Sequence, residues 1–282
     1  MPEHLKDHAL DRAKRGDQYW RRDRWKALIH ICLQWNDLLL ALLARDLKMR
    51  YQRSAIGLGW SLMRPLSQLL IFSLIFRHVL PLNIPHYTTF VFSGVLAWGW
   101  FSTAVPAAAT SITGSSELVR RPGFPIGILP VVAVITQAVH LLLALPLLFI
   151  ISFIETGGLT LSIAALPLVF IAQALFTMGL SYLVAIAHVH FRDTQHLVGV
   201  FLMLGFYLTP VFYSPLKASE PMALIHTLNP MAWILEGYRA IFVEHAWPPV
   251  AIYWKTALIS LPMLFAGIWL VERGSARLVD EL

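Results

Sequence analysis

Residues 122–154 read PGFPIGILPVVAVITQAVHLLLALPLLFIISFI, thirty-three positions without a single Lys, Arg, Asp or Glu. A helix needs about 20 mostly apolar residues to cross the hydrocarbon core of a bilayer. Three more stretches, 78–116, 156–191 and 194–216, are equally free of charge, and 60–80 and 251–271 are further candidates. Together they predict an all-α integral membrane protein. Six spans are expected at roughly 60–80, 89–112, 127–153, 160–187, 197–213 and 251–271, so both termini lie on one side.

Composition agrees. Of 282 residues, 57% are apolar and 13% charged, where a soluble domain typically has about 25% charged. With a mean hydropathy of +0.64, no compact soluble fold could hide that much apolar surface. A single cysteine, Cys32, excludes a disulfide scaffold. The hydrophobicity and the lack of a Gly-X-Y period exclude disorder and collagen. A pI near 9.6 could suggest nucleic acid, but the charge is too localised for that. Residues 1–58 hold 12 Lys/Arg and 7 Asp/Glu, and the rest of the chain 10 and 9. Nothing after the first basic residues reads as a signal peptide. With Arg64 set aside as intramembrane, one side of the six-span arrangement carries 17 basic residues and the other 4. The basic side is cytoplasmic by the positive-inside rule, and both termini are expected there.

The division expected along the chain is a polar cytoplasmic tail over 1–32, an interfacial segment over 33–58, a transmembrane domain over 59–271 and a cytoplasmic tail over 272–282. Within the interfacial segment, 33–53 reads as an amphipathic helix lying on the membrane surface. Asp37, Arg45, Lys48 and Gln52 share one face, and Leu39, Leu42, Leu43 and Leu47 lie away from it. Asp46 and Arg50 interrupt the apolar side. Residues 214–249 are too short and too broken by Pro215, Pro221 and Pro230 for two crossings. Asn229 followed by Pro230 is a helix-start signal. Met231, Ile234, Leu235, Tyr238, Ile241 and Phe242 form one apolar face after it, with Glu236 and Arg239 off it. This reads as a short re-entrant helix at the outer interface.

Several chemistries are missing from the sequence. It has no Gly-x-x-x-x-Gly-Lys-Ser/Thr loop for ATP, no His-Glu-x-x-His or Cys/His zinc spacing, and no Gly-x-Ser-x-Gly. The six spans as drawn contain no Asp or Glu, whereas ion-coupled transporters usually place carboxylates within the membrane. Transport powered by another subunit fits these absences. No metal or catalytic site is expected. His140 reads as a neutral, hydrogen-bonded core histidine or as a functional intramembrane group. His188 and His190, two apart, face different sides of a helix. Arg64 either snorkels to the headgroups or holds a lipid phosphate.

Aromatic residues crowd the second and fifth spans, with Phe90, Trp98 and Phe101 in one and Phe201, Tyr207 and Phe212 in the other. Interface belts and helix packing explain such residues in many membrane proteins. The functional alternative is a conduit whose aromatic faces stack on sugar rings.

Four motifs in order then narrow the reading. Arg45-Asp46-Leu47-Lys48-Met49-Arg50-Tyr51-Gln52-Arg53-Ser54-Ala55-Ile56-Gly57, followed by Trp60 and Pro65, closely resembles the opening of type-2 ABC export permeases for cell-surface polysaccharides. That family includes the O-antigen, capsule and teichoic-acid exporters. Glu117-Leu118-Val119-Arg120-Arg121, leading to Phe124-Pro125 and Leu129-Pro130, resembles the family's cytoplasmic loop after the second span. Phe191-Arg192-Asp193 with Leu208-Thr209-Pro210-Val211-Phe212-Tyr213 resembles its fourth-to-fifth connection and fifth span. Leu228-Asn229-Pro230 with Gly237-Tyr238-Arg239 resembles its outer re-entrant segment. The matches run from about residue 40 to 245. Arg64 departs from them, since an uncharged residue usually precedes that proline, and so does Gly123, where a bulkier residue is usual.

The resemblance implies a homodimer bound to two copies of a cytoplasmic ABC ATPase, which would hold the ATP and Mg that this chain does not. Its cargo would be an undecaprenyl-linked polysaccharide, most consistently O-antigen, moved across the bacterial inner membrane. Within a coupling loop over 113–125, Glu117, Leu118, Val119, Arg120 and Arg121 would form the coupling helix. Arg192 and Asp193 would be a second docking site or simply a headgroup-level ion pair. Arg45, Lys48, Arg50, Tyr51, Arg53 and Arg64 would form the cytoplasmic gate where the lipid enters. Phe90, Trp98, Phe101, Phe201, Tyr207 and Phe212 would line the channel. Asn229, Pro230, Tyr238 and Arg239 would shape its outer mouth. The rivals are an exporter of small molecules or other lipids with the same permease type, and a membrane glycan-modifying enzyme.

Overall fold

The computed structural model describes residues 35–49, 59–75, 84–214 and 220–281. The tail 1–32, Arg50, Tyr51 and Arg53 lie outside the described residues. The chain divides into two compact units, Met1–Arg50 and Tyr51–Leu282. In the first, helix α1 covers 35–49. Leu42 is its buried position, and Asp37, Arg45 and Lys48 are exposed. Arg45 donates from Nη2 and Nε to Asp46 Oδ1 at 3.0 and 3.2 Å. That pairing neutralises the acid that interrupts the apolar side.

In the second unit every described element is helical. The order is α2 (Trp60–Leu74), α3 (Tyr87–Ala109), α4 (Ser116–Val119), α5 (Ile128–Thr156), α6 (Leu166–His190), α7 (Thr194–Leu208), α8 (Glu220–Leu228), α9 (Pro230–Phe242) and α10 (Val250–Asp280). Four helices are long and apolar enough to cross a membrane: Tyr87–Ala109, Ile128–Thr156, Leu161–His190 and Val250–Gly274. Leu62–Leu74 and Thr194–Leu208 are apolar but shorter.

Helix α3 is the hub and packs against α2, α5, α6, α7 and α9. Its neighbours bury almost every turn, from Tyr87 to Ala109. The most extensive helix pairing is α6 with α10. A Cβ on Gly267 would stand 2.5 Å from Tyr182 Cβ, and one on Gly179 would stand 3.0 Å from the Ser260 carbonyl oxygen. Lipid tails are as apolar as Leu, so helices in a bilayer associate by close backbone approach, which small residues permit.

Polar contacts assign the two ends of this bundle. At one end Tyr182 Oη donates to the Gly127 carbonyl at 2.6 Å, and His190 Nδ1 lies 2.5 Å from Glu281 Oε2. At the opposite end the Glu155 carboxylate accepts from the Thr88 and Thr89 N–H groups at 3.3 and 2.8 Å, and from Thr89 Oγ1 at 2.8 Å. The first N–H groups of a helix have no intrahelical partner and carry partial positive charge. Glu155 supplies both the acceptor and the opposite charge for α3.

Three differences from the sequence reading have physical causes. The helix expected over 197–213 ends at Leu208, because Thr209 precedes a proline and is extended (φ −96°, ψ 136°). The last helix continues beyond residue 271 to Asp280, since no proline or capping glycine stops it. The 214–249 segment holds two short helices, α8 and α9, where one was expected.

Candidate functional site

At the His190 end, α4 is one turn long, with Val119 buried and Glu117, Arg120 and Arg121 exposed. Val119 anchors the turn and the charged residues project outward, while Leu118 is half-buried. Gly123 follows at φ +78°, a left-handed conformation that a bulkier residue would adopt only under strain. The departure at that position therefore has a backbone reason. Arg192 and Asp193 are exposed in the turn between α6 and α7. His188 is buried and His190 exposed, on different sides of α6. Both α4 and the 191–193 turn thus present charge on the face reached by the α6 C-terminus. Arg64 is exposed on α2.

The opposite end is built around α9. Asn229 Oδ1 accepts from the Met231 N–H at 3.0 Å, with Pro230 opening the helix, as the start signal predicts. The same side chain donates from Nδ2 to Thr209 Oγ1 at 2.8 Å. Met231, Ile234, Leu235, Tyr238, Ile241 and Phe242 are all buried. Tyr238 Oη donates to Gln173 Oε1 at 2.9 Å, and Gln173 Nε2 donates to the Ala97 carbonyl at 2.7 Å. One fully buried amide therefore joins α9, α6 and α3.

Arg239 corrects the helical-wheel reading, which places it off the apolar face. It is 6% exposed. Its guanidinium carbon lies 3.5 Å from the centroid of the Phe90 ring, and Nη2 donates to the Val211 carbonyl at 3.0 Å and to the Pro210 carbonyl. Residues 209–214 curl over α3 as a non-helical segment, and their carbonyls take this cation in. The approach is close: a Cβ on Gly94 would meet the Val211 oxygen at 2.8 Å.

The candidate channel aromatics fall into two groups. Phe90, Trp98 and Phe101 are buried within the chain; Phe101 stacks on Phe176 at 5.5 Å, and Trp98 meets Phe101 and Phe206 edge-on. Phe201 and Tyr207 are exposed at 71% and 60% on α7, a helix with no buried residue. Phe212 is half-buried in a cluster with Phe72, Phe206, Tyr207 and Tyr213. Tyr213 is tied to His226 Nε2 at 3.0 Å. Burial, then the Arg239 cation, hold the His226 imidazole below its ordinary value of 6.5.

Sequence reasoning passed over Glu155, Gln173 and His226. Glu155 carries the one usable signal, an acid between an apolar run and Gly157-Gly158. Among the described residues no group of His, Cys, Asp or Glu could hold a metal ion.

Residues 37–243 match the ABC-2 type transporter family. The chain is 34% identical over 247 residues to the O-antigen export system permease protein RfbA of Myxococcus xanthus, covering 87% of this chain and 95% of that protein. It is 31% identical over 211 residues to the protein of the same name from Klebsiella pneumoniae, covering 74% and 81%.

Proposed function

The chain belongs to the ABC-2 type transporter family, and from that premise we propose that it is the permease subunit of an ATP-driven exporter of lipid-linked O-antigen polysaccharide. The observation that carries this reading is similarity to O-antigen export permeases along most of their length. It is a multi-pass inner-membrane protein, and a separate ATPase subunit supplies the energy.

On this reading α2 and α7 complete six spans and both termini are cytoplasmic, which makes the His190 end the cytoplasmic one. Two copies of the chain pair, and each engages one ATPase subunit carrying ATP and Mg. Glu117, Leu118, Val119, Arg120 and Arg121 form the coupling helix; its one-turn length and buried Val119 suit a rigid connector. Arg192 and Asp193 act as a second contact with the ATPase. Arg45, Lys48, Arg50, Tyr51, Arg53 and Arg64 receive the anionic lipid pyrophosphate as it enters from the cytoplasm. Sugars then pass exposed aromatics on α7, where Phe201 and Tyr207 are open to contact and Phe212 forms the edge of a cluster. Phe90, Trp98 and Phe101 support that wall from behind. Asn229, Pro230, Tyr238 and Arg239 build the outer mouth.

Deleting the gene and restoring it tests this reading. The null strain should accumulate lipid-linked polymer on the cytoplasmic leaflet and lose surface O-antigen, and re-expression of this chain with its ATPase should restore both. Normal surface polymer in the null strain would remove the assignment.

A further inference from the structure

We infer that Arg239 is a positioning residue of the transport path, because it pins the 209–214 segment to the bundle and so sets where Phe212 and Tyr213 stand. This deepens the export reading and rests on it. Four consecutive residues of that segment are each held by a side chain from another element. Asn229 holds the Thr209 hydroxyl. Arg239 takes the Pro210 and Val211 carbonyls. Tyr87 Oη donates to the Phe212 carbonyl at 3.1 Å. Among the described residues, the donors to the Pro210, Val211 and Phe212 carbonyls include side chains of α3 and α9. A buried carbonyl left without a donor costs most of its desolvation penalty. These donors therefore help to hold the segment down.

Arginine suits this position for a physical reason. Its guanidinium sits over an aromatic ring while Nη2 alone donates to both carbonyls, and a guanidinium is more weakly hydrated than the ammonium of lysine, so burying it costs less. Phe90 supplies the ring, and no carboxylate among the described residues lies within ion-pair distance of Arg239. Gly94 lets the Val211 carbonyl reach α3. On its far side the segment carries Phe212 and Tyr213 into the cluster with Phe72, Phe206 and Tyr207. Freeing the segment would move those rings.

Hydrogen–deuterium exchange on the purified permease–ATPase complex in lipid nanodiscs tests the pin without any cargo. In Arg239→Gln, the amides of Thr209, Val211, Phe212 and Tyr213 should exchange about tenfold faster or more, as expected for losing bonds from a charged donor, with Arg239→Lys intermediate. Amides of α10 should be unchanged, and surface O-antigen should fall in cells carrying the same variant. Should Arg239→Gln fail to assemble, Tyr87→Phe and Gly94→Ala address the same segment. The first removes one donor and the second displaces the Val211 oxygen, and each should raise exchange severalfold. Unchanged exchange at 209–213 in assembled variants overturns the pin. Equal acceleration in α3, α9 and α10 makes Arg239 a general stability residue and overturns the positioning role. Faster exchange with normal surface polymer separates the segment from transport and leaves the permease assignment standing.

Discussion

Buried polar side chains do more here than their number suggests. Gln173 is fully buried and satisfied at both ends of its amide by Ala97 and Tyr238. Gln173→Leu keeps the volume but strands a carbonyl and a phenol, and should cost about 1–2 kcal/mol. Tyr238→Phe added to it should cost little more, because the bond is already gone. Unfolding of the purified protein in mixed micelles measures both, and additive losses would show that the two residues do not act as a pair. His226 gives a pH dependence. Its folded value is depressed, so it favours neutral imidazole, and its contribution is complete above the unfolded value near 6.5. That contribution is lost as pH falls through the folded value. Melting temperature should drop between pH 7.5 and pH 5 more steeply in wild type than in His226→Gln; parallel slopes would remove His226 as the cause.

Among the elements, those with a long uninterrupted pattern were the legible ones. The charge-free runs locate α3, α5 and α6, the apolar stretch 251–271 marks the membrane part of α10, and Asn229-Pro230 marks the start of α9. Arg239 was illegible because a helical wheel treats an Arg as outward-facing. Its acceptors belong to a non-helical segment almost 30 residues earlier, formed only because Thr209-Pro210 stops α7. Glu155 was missed for a similar reason, since its partners on α3 lie 66 and 67 positions away. Periodicity reports on a helix's own faces and carries no information about such distant partners. The coupling helix makes its prediction at this scale. Glu117→Ala with Arg120→Ala removes exposed charge from α4 and leaves buried Val119 in place. Insertion and abundance should be normal and surface O-antigen absent. Normal surface polymer in that double variant would sink the coupling role.

For the whole molecule, the issue is what covers α7. Leu197, Val200, Phe201, Met203, Leu204, Tyr207 and Leu208 are all exposed on it. Helix α10 is also largely open, with Trp254, Leu258, Phe265 and Trp269 outward. The proposed dimer treats the two faces differently: α7 looks towards the second copy and its path, and α10 looks towards lipid. In a Cys32→Ser background, Phe201→Cys should cross-link two copies with a short bifunctional thiol reagent, while Leu258→Cys should not. The reverse pattern would relocate the interface to α10.

The early stop of α7 also bears on the membrane around it. Fifteen residues extend about 22 Å, against a hydrocarbon core of about 30 Å. Such a hydrophobic mismatch is relieved by thinning the bilayer beside the short helix. A sugar chain moving along α7 would then cross several ångströms less oil than it would beside α3, α5, α6 or α10. The proline that ends the helix would thereby lower the solvation barrier to a polar polymer, and bilayers of longer-chain lipids should slow export by restoring that thickness.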